Sequence, residues 1–193
     1  MLILVRHGQT QVNAEGRLQG RFDAPLTELG RRQAAALVGA VAPAEGARVV
    51  SSPLVRARET AEVFGLPVEI DERWVEMDYG EYDERPFAEV PVEVWRQWRT
   101  EVSYAPPGGE SIAAVGARVR AACEEMLPEA AERDVVVVSH VSPIKAAVAW
   151  ALGVGDEAVW RMFLEVASVC RVAAGPTGPM LRSFNECSHL PTG

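Results

Sequence analysis

Lysine is nearly absent from this chain of 193 residues: Lys145 is the only one, and the remaining positive charge is arginine. Any grip on a phosphate is therefore expected to come from guanidinium groups. Acids outnumber bases, giving a net charge of −8, and no basic stretch rises above that background. This balance argues against a nucleic-acid binder. Cysteine is scarce. Cys123, Cys170 and Cys187 are odd in number and form no C-x-x-C pair, so no disulfide framework is expected and a cytoplasmic location is. The three histidines, at 7, 140 and 189, lack metal-ligand spacing, and neither a metal nor another cofactor is expected. No apolar run approaches the length of a membrane span, and Met1 leads into the first run without a basic leader or a cleavage site. Gly-Lys-Ser/Thr and Gly-x-Ser-x-Gly are both missing, and Gly153-Val154-Gly155 lacks the third glycine of a dinucleotide fingerprint. These absences set aside a nucleotide P-loop, a serine-hydrolase elbow and a Rossmann cofactor site.

What is present is a rhythm. Short apolar runs at 2–5, 48–51 and 135–138, without polar alternation, are separated by alanine-rich segments of helical spacing. The pattern predicts a three-layer α/β/α sandwich around a mostly parallel central sheet, with 1–193 as one domain. Thr27 is expected to cap a helix over 28–42 that Pro43 ends, and a second helix over 54–64 stops at Gly65. Ser111 caps a long helix reaching Leu127, with Pro128 as its stop, and Pro143 suits the first turn of a helix running to Leu152. Residues 161–173 and 180–184 read as a closing hairpin around Gly175-Pro176-Thr177-Gly178. Residues 71–110, rich in Trp, Tyr, Pro and acids, break the rhythm. They predict an irregular insertion with one short helix around Trp95 and Trp98, forming part of a pocket.

The chemistry sits at the ends of the runs. Leu2-Ile3-Leu4-Val5 delivers Arg6-His7-Gly8, and Val135-Val136-Val137-Val138 delivers Ser139-His140. Ligands bind at the carboxyl ends of strands in open α/β sheets, so two histidines arriving there suggest a shared site. Phosphoryl transfer needs an in-line nucleophile, cations around the equatorial oxygens and an acid for the leaving oxygen. His7 can be the nucleophile if its attacking nitrogen is unprotonated. Arg6 and Arg56 can flank the phosphate, His140 adds a donor if protonated, and Asn13 and Gln19 can supply neutral hydrogen bonds.

In this order the motifs resemble the histidine phosphatase superfamily, also called phosphoglycerate mutase-like. The matching residues are Arg6-His7-Gly8-Gln9-Thr10 with Asn13, Gln19-Gly20, Asp23-Ala24-Pro25-Leu26-Thr27 with Gly30, and Ser51-Ser52-Pro53-Leu54 with Arg56-Ala57 and Thr60-Ala61. Glu76, Tyr79-Gly80, Gly108-Gly109-Glu110-Ser111 and Val138-Ser139-His140 complete the set. The resemblance implies that His7 becomes phosphohistidine and that Arg6, Arg56 and His140, assisted by Asn13, form the phosphate pocket. It also implies that Glu76 protonates the leaving alcohol and then activates water. The family's second histidine is usually followed by Gly; here Val141 follows, and only its backbone N–H is expected to face phosphate. The segment Gly80-Glu81-Tyr82-Asp83-Glu84 lacks the family's second glycine, which leaves Asp78 and Glu81 beside Glu76 as candidate acids.

Val141-Ser142-Pro143-Ile144-Lys145 resembles a subset of small phosphatases, among them acid phosphatase and α-ribazole-phosphatase-like domains. The implied function is a cofactor-independent phosphomonoesterase acting on a small phosphorylated metabolite and releasing inorganic phosphate. A phosphoglycerate mutase and a silent phosphate-binding scaffold are the alternatives. Against the mutase, no lysine precedes Lys145 and no Arg-Arg pair follows Arg31-Arg32. Trp95 and Trp98 are read as packing or as a platform for a ring-bearing leaving group, and Gln19 as a ligand or a loop-shaping residue. Glu110 belongs to the pocket wall or simply precedes a cap, and His189 to a tail that is free or packed near the pocket. The oligomeric state is open, a homodimer included.

Overall fold

The computed structural model describes residues 1–191. In chain order the elements are β1 (Leu2–Arg6), α1 (Gln11–Ala14), α2 (Glu28–Val41), β2 (Arg48–Ser51), α3 (Val55–Ala61), β3 (Val68–Ile70), α4 (Val92–Thr100), α5 (Ile112–Glu132), β4 (Val135–Ser139), α6 (Val141–Leu152), β5 (Val169–Gly175) and β6 (Gly178–Glu186). One six-stranded sheet runs in the order β3-β2-β4-β1-β5-β6. The first four strands of that order are mutually parallel, while β5 is antiparallel to β1 and β6 to β5.

Strand β4 lies between β2 and β1, and Val135 to Val138 are all fully buried because helices cover both faces. Side chains alternate across the sheet. Leu2, Leu4, Val135 and Val137 join the core under α5 and α6, whereas Ile3, Val5, Val136 and Val138 join the one under α2 and α3. The register decides where the chemistry goes. Arg6 is opposite Ser139 and Ser51 is opposite Val138, so the residues that follow, His7, Ser52 and His140, emerge together at one edge.

Helix starts follow their caps: Thr27 accepts from the Gly30 amide and Ser111 from the Ala114 amide. Gly153 ends α6 in the left-handed conformation, with φ of 66°. Two expectations fail, and one strand was not anticipated. Pro128 does not stop α5, which runs on to Glu132. Its ring lies on the exposed side, while Met126 and Ala130 continue the buried stripe and Glu129 is held by Arg48 and Arg133. Residues 161–168 are not strand; a 3₁₀ turn, Asp156–Arg161, leads into an irregular loop whose backbone serves the site. Strand β3 is an edge of three residues, two of them exposed, with no apolar run to announce it.

The insertion at 71–110 contains three-residue 3₁₀ turns and α4. Trp98, 1% exposed, meets Tyr79, Tyr82 and Tyr104 edge-on and stacks on Trp160, tying the insertion to the main core. Trp98 is therefore packing.

Candidate active site

His7 leaves β1 into a loop pressed against the start of α2. The Gly8 amide donates to Thr60 Oγ1, and a Cβ on Gly8 would overlap the Gly30 carbonyl. A Cβ on Gly30 would in turn overlap the backbone of Gln9. Replacing a helical glycine by alanine ordinarily stabilises by about 1 kcal/mol. Here Gly30→Ala is expected to destabilise by about 1–3 kcal/mol in urea unfolding, because backbone must shift to admit the methyl.

His7 is 3% exposed, and both of its nitrogens are engaged. Nδ1 lies 2.7 Å from the Gly8 carbonyl, which can only accept, and Nε2 is 3.3 Å from Arg56 Nε, which can only donate. These two contacts assign the proton to Nδ1 and leave a lone pair on Nε2. Arg56 is fully buried; its other two nitrogens donate to the carbonyls of Phe22 (2.9 Å) and Gly20 (2.8 Å). That loop is itself shaped by Asp83, whose carboxylate accepts the amides of Gly20, Arg21 and Phe22. Nothing in the sequence pattern singled out Asp83. Burial lowers the Arg56 pKa to about 10, against the opposing charges of Glu76, Asp23 and Asp83, so the group remains a cation at neutral pH.

Arg6 donates to the Leu164 carbonyl at 2.6 Å, and its Nε is buried with no partner among the described residues. His140 lies with its ring 5.0 Å from that of His7; Nε2 is 2.6 Å from Ser52 Oγ, and Nδ1 is buried and unpartnered. The pKa values of both histidines are pulled well below the ordinary imidazole range, first by burial and then by Arg56 and other nearby cationic groups. The unliganded site therefore favours the neutral form of His140, and the protonation on which its donor role depends would have to come with the ligand; a phosphoryl dianion between these groups would oppose that field.

A stability consequence follows. Between the depressed folded pKa values and about 6.5, the unfolded chain binds more protons than the folded one. Stability is thus full above about pH 6.5 and falls on acidification, by roughly 1.4 kcal/mol per pH unit for each histidine. Thermal unfolding in phosphate-free buffer should show this loss beginning just below pH 6.5.

Glu76 is 3% exposed and accepts three amides: Met77 at 2.7 Å on Oε1, Ser142 at 3.2 Å on Oε1 and Val141 at 3.0 Å on Oε2. The Val141 N–H therefore holds the acid, not the phosphate, which corrects its expected role. Asp78 is occupied by the Gly80 amide and Glu81 is exposed, so among the three candidates only Glu76 lines the cavity. Asn13 and Gln19 also line it and hold each other: Gln19 Oε1 accepts from Thr10 Oγ1 (2.6 Å) and from Asn13 Nδ2 (3.3 Å).

The cavity has a volume of about 410 Å³, with Arg6, His7 and Glu76 in its lining and aromatic walls from Trp95, Trp160 and Phe163. Arg56 and His140 adjoin His7 without being part of that lining. Lys145 lines the cavity as well. It stands one helical turn after Val141, a spacing legible in the sequence. Glu110 lies outside, bound by Arg118 and Arg21. His189 packs behind the site, 2.9 Å from the Ala167 carbonyl, while the Ala167 amide donates to the carbonyl of His7. Among the described residues no helix is long and apolar enough to cross a membrane, and no cluster of His, Cys, Asp and Glu is placed to hold a metal.

Paired buried histidines with a buried Arg56 and a half-buried Arg6 at the carboxyl edge of a mostly parallel sheet define a phosphoglycerate mutase-like protein. Residues 2–187 match the histidine phosphatase superfamily (branch 1), and the chain belongs to that family. It is 40% identical over 176 residues to the bifunctional protein Rv2228c of Mycobacterium tuberculosis, covering 87% of this chain and 48% of that one. The chain thus spans about half the length of that relative. It is 33% identical to a protein of Yersinia enterocolitica named as a probable phosphoglycerate mutase, GpmB, covering 98% of this chain and 94% of the other. The structure of mycobacterial glucosyl-3-phosphoglycerate phosphatase superposes with a TM-score of 0.85 at 30% identity, covering 96% and 98% of the two chains. A candidate alpha-ribazole-5'-P phosphatase of Escherichia coli gives 0.82 at 28% identity, covering 96% and 95%.

Proposed function

We propose that the protein is a cofactor-independent phosphomonoester hydrolase that works through phosphohistidine at His7 on a small phosphorylated metabolite. The observation that carries this is the pair of contacts at His7: Nδ1 lies against the Gly8 carbonyl and Nε2 against Arg56, which together assign the Nδ1–H tautomer and leave the Nε2 lone pair beside the arginine that would bind phosphate. In the first step Nε2 attacks phosphorus, the ester P–O bond breaks, and the leaving oxygen takes a proton from Glu76. In the second, Glu76 accepts a proton from water, the water oxygen attacks phosphorus, and the P–N bond breaks to return the electron pair to Nε2. Inorganic phosphate leaves. Arg6 and Arg56 stabilise the equatorial oxygens throughout, where preorganised cations are worth most. The amides of Met77, Val141 and Ser142 keep the Glu76 carboxyl aimed into the cavity between the steps.

The mutase alternative receives no support from the cavity. Its lining contains Arg6 and Arg17 but no adjacent arginine pair, and Arg17 is held by Glu15 and the Glu84 carbonyl. The test is turnover of p-nitrophenyl phosphate in the presence of a metal chelator, followed by a rapid quench. Protein-bound phosphate that survives alkali and is lost in acid is the expected phosphohistidine, and Glu76→Gln should prolong its life. Hydrolysis with no phosphoenzyme at any time point would overturn the mechanism.

A further inference from the structure

We propose that Asp83, on the insertion, positions Arg56 for phosphate, acting through the single peptide group that joins Gly20 to Arg21. This rests on the phosphatase reading and adds a positioning residue to it; Asp83 itself does not line the cavity. The Arg21 N–H donates to Asp83 Oδ2 at 2.9 Å, and the Gly20 carbonyl accepts from Arg56 Nη2 at 2.8 Å. That N–H and that C=O belong to one planar unit, so neither can turn without the other. A carboxylate on the amide and a guanidinium on the carbonyl also polarise the group in the same sense. Each charge-assisted bond therefore strengthens its counterpart.

Asp83 grips both sides of that unit. Its Oδ1 accepts the Gly20 amide at 2.6 Å and its Oδ2 the Phe22 amide at 2.9 Å, and the Phe22 carbonyl is the second acceptor for Arg56. Little else fixes the segment. Residues 20–22 lie in neither helix nor strand, Arg21 is exposed and Phe22 is 42% exposed, so side-chain packing does not set their backbone. The other side-chain contacts, Gln19 with the Phe22 carbonyl and Arg21 with Glu110, are both 3.5 Å long. Gly20 already abuts Met77, where a Cβ would come within 2.7 Å of the carbonyl oxygen, so the segment has no room to close over a lost partner. Arg56 Nε stands 3.3 Å from His7 Nε2, and a tilt of the guanidinium plane moves the donor beside the attacking atom. A misplacement of about 1 Å in such a group can lower a rate about a hundredfold.

The test is a double-mutant cycle on kcat/KM for p-nitrophenyl phosphate, with Asp83→Asn, Arg56→Ala and the two together. Asparagine is nearly isosteric, keeps one acceptor oxygen and turns an NH2 group toward amides that can only donate. Asp83→Asn is expected to lower kcat/KM about tenfold or more, chiefly through kcat. In the Arg56→Ala background the same substitution should cost less than about threefold, because the group it positions is gone. Thermal unfolding verifies the fold of each variant; should Asp83→Asn not fold, Asp83→Ser, which also keeps one acceptor, replaces it in the cycle. A merely structural Asp83 would lower activity by the same factor in both backgrounds. That result overturns the proposal, as does wild-type kcat/KM in the Asp83 variant. Absence of turnover of any phosphate ester by the wild type overturns the phosphatase reading instead, and the cycle is then read on affinity for inorganic phosphate by calorimetry. A loss confined to the background that retains Arg56 supports the positioning role; equal losses, or none, overturn it.

Discussion

Replacing His7 by alanine is expected to lower turnover of a generic phosphate ester by about four orders of magnitude, the loss typical of removing a covalent nucleophile. No neighbour can take its place. His140 presents Nε2 to Ser52 at 2.6 Å, and its ring, 5.0 Å from that of His7, is not part of the cavity lining. The phosphate grip should outlast the nucleophile, because Arg6 and Arg56 are positioned by backbone carbonyls that the substitution leaves untouched. Affinity for vanadate or inorganic phosphate, read by calorimetry, should therefore weaken far less than turnover. The folded state should tolerate the change: it removes an imidazole whose charged form the site disfavours, and with it part of the acid-sensitive loss of stability. A variant that keeps more than a few per cent of the activity would show that the attacking atom lies elsewhere.

The histidine positions were legible because their strands were. Leu2 to Val5 and Val135 to Val138 are buried on both faces of a parallel sheet, so they appear as unbroken apolar runs whose ends can be read. Once the two runs are aligned, His7 and His140 must meet. Arg56 was legible through its place just beyond a third run, and Glu76 only through resemblance, since acids crowd that segment. What escaped depends on contacts between distant parts of the chain. Asp83 acts by gathering the amides of residues 20–22, a role no local pattern announces. The Val141 amide was assigned to phosphate because the place of Glu76 against α6 is a tertiary fact. Pro128 misled for a similar reason: a proline on the exposed side of a helix whose buried stripe continues is carried by packing.

Arg56 is the second residue whose loss should be severe, and the conservative substitution tells more than the drastic one. Its guanidinium uses all three nitrogens in three directions, toward His7, Phe22 and Gly20. A lysine keeps the charge but presents one compact ammonium, which cannot hold two carbonyls and face the phosphate together. Arg56→Lys is therefore expected to lower kcat/KM nearly as far as Arg56→Ala, about a thousandfold for each. Stability should move much less. Alanine leaves the Gly20 and Phe22 carbonyls without their donor, at about 1–3 kcal/mol each. Against this, the downward shift to a pKa of about 10 means the site disfavours the cation by roughly 3 kcal/mol, which the substitution returns. The two oppose each other, so Arg56→Ala should lose less in stability than in activity and still unfold cooperatively while being almost inactive. Near-wild-type kcat/KM in Arg56→Lys would mean that charge alone suffices; a collapse of the fold in Arg56→Ala would mean that the guanidinium is chiefly structural. The expected pair of results instead assigns Arg56 to transition-state binding.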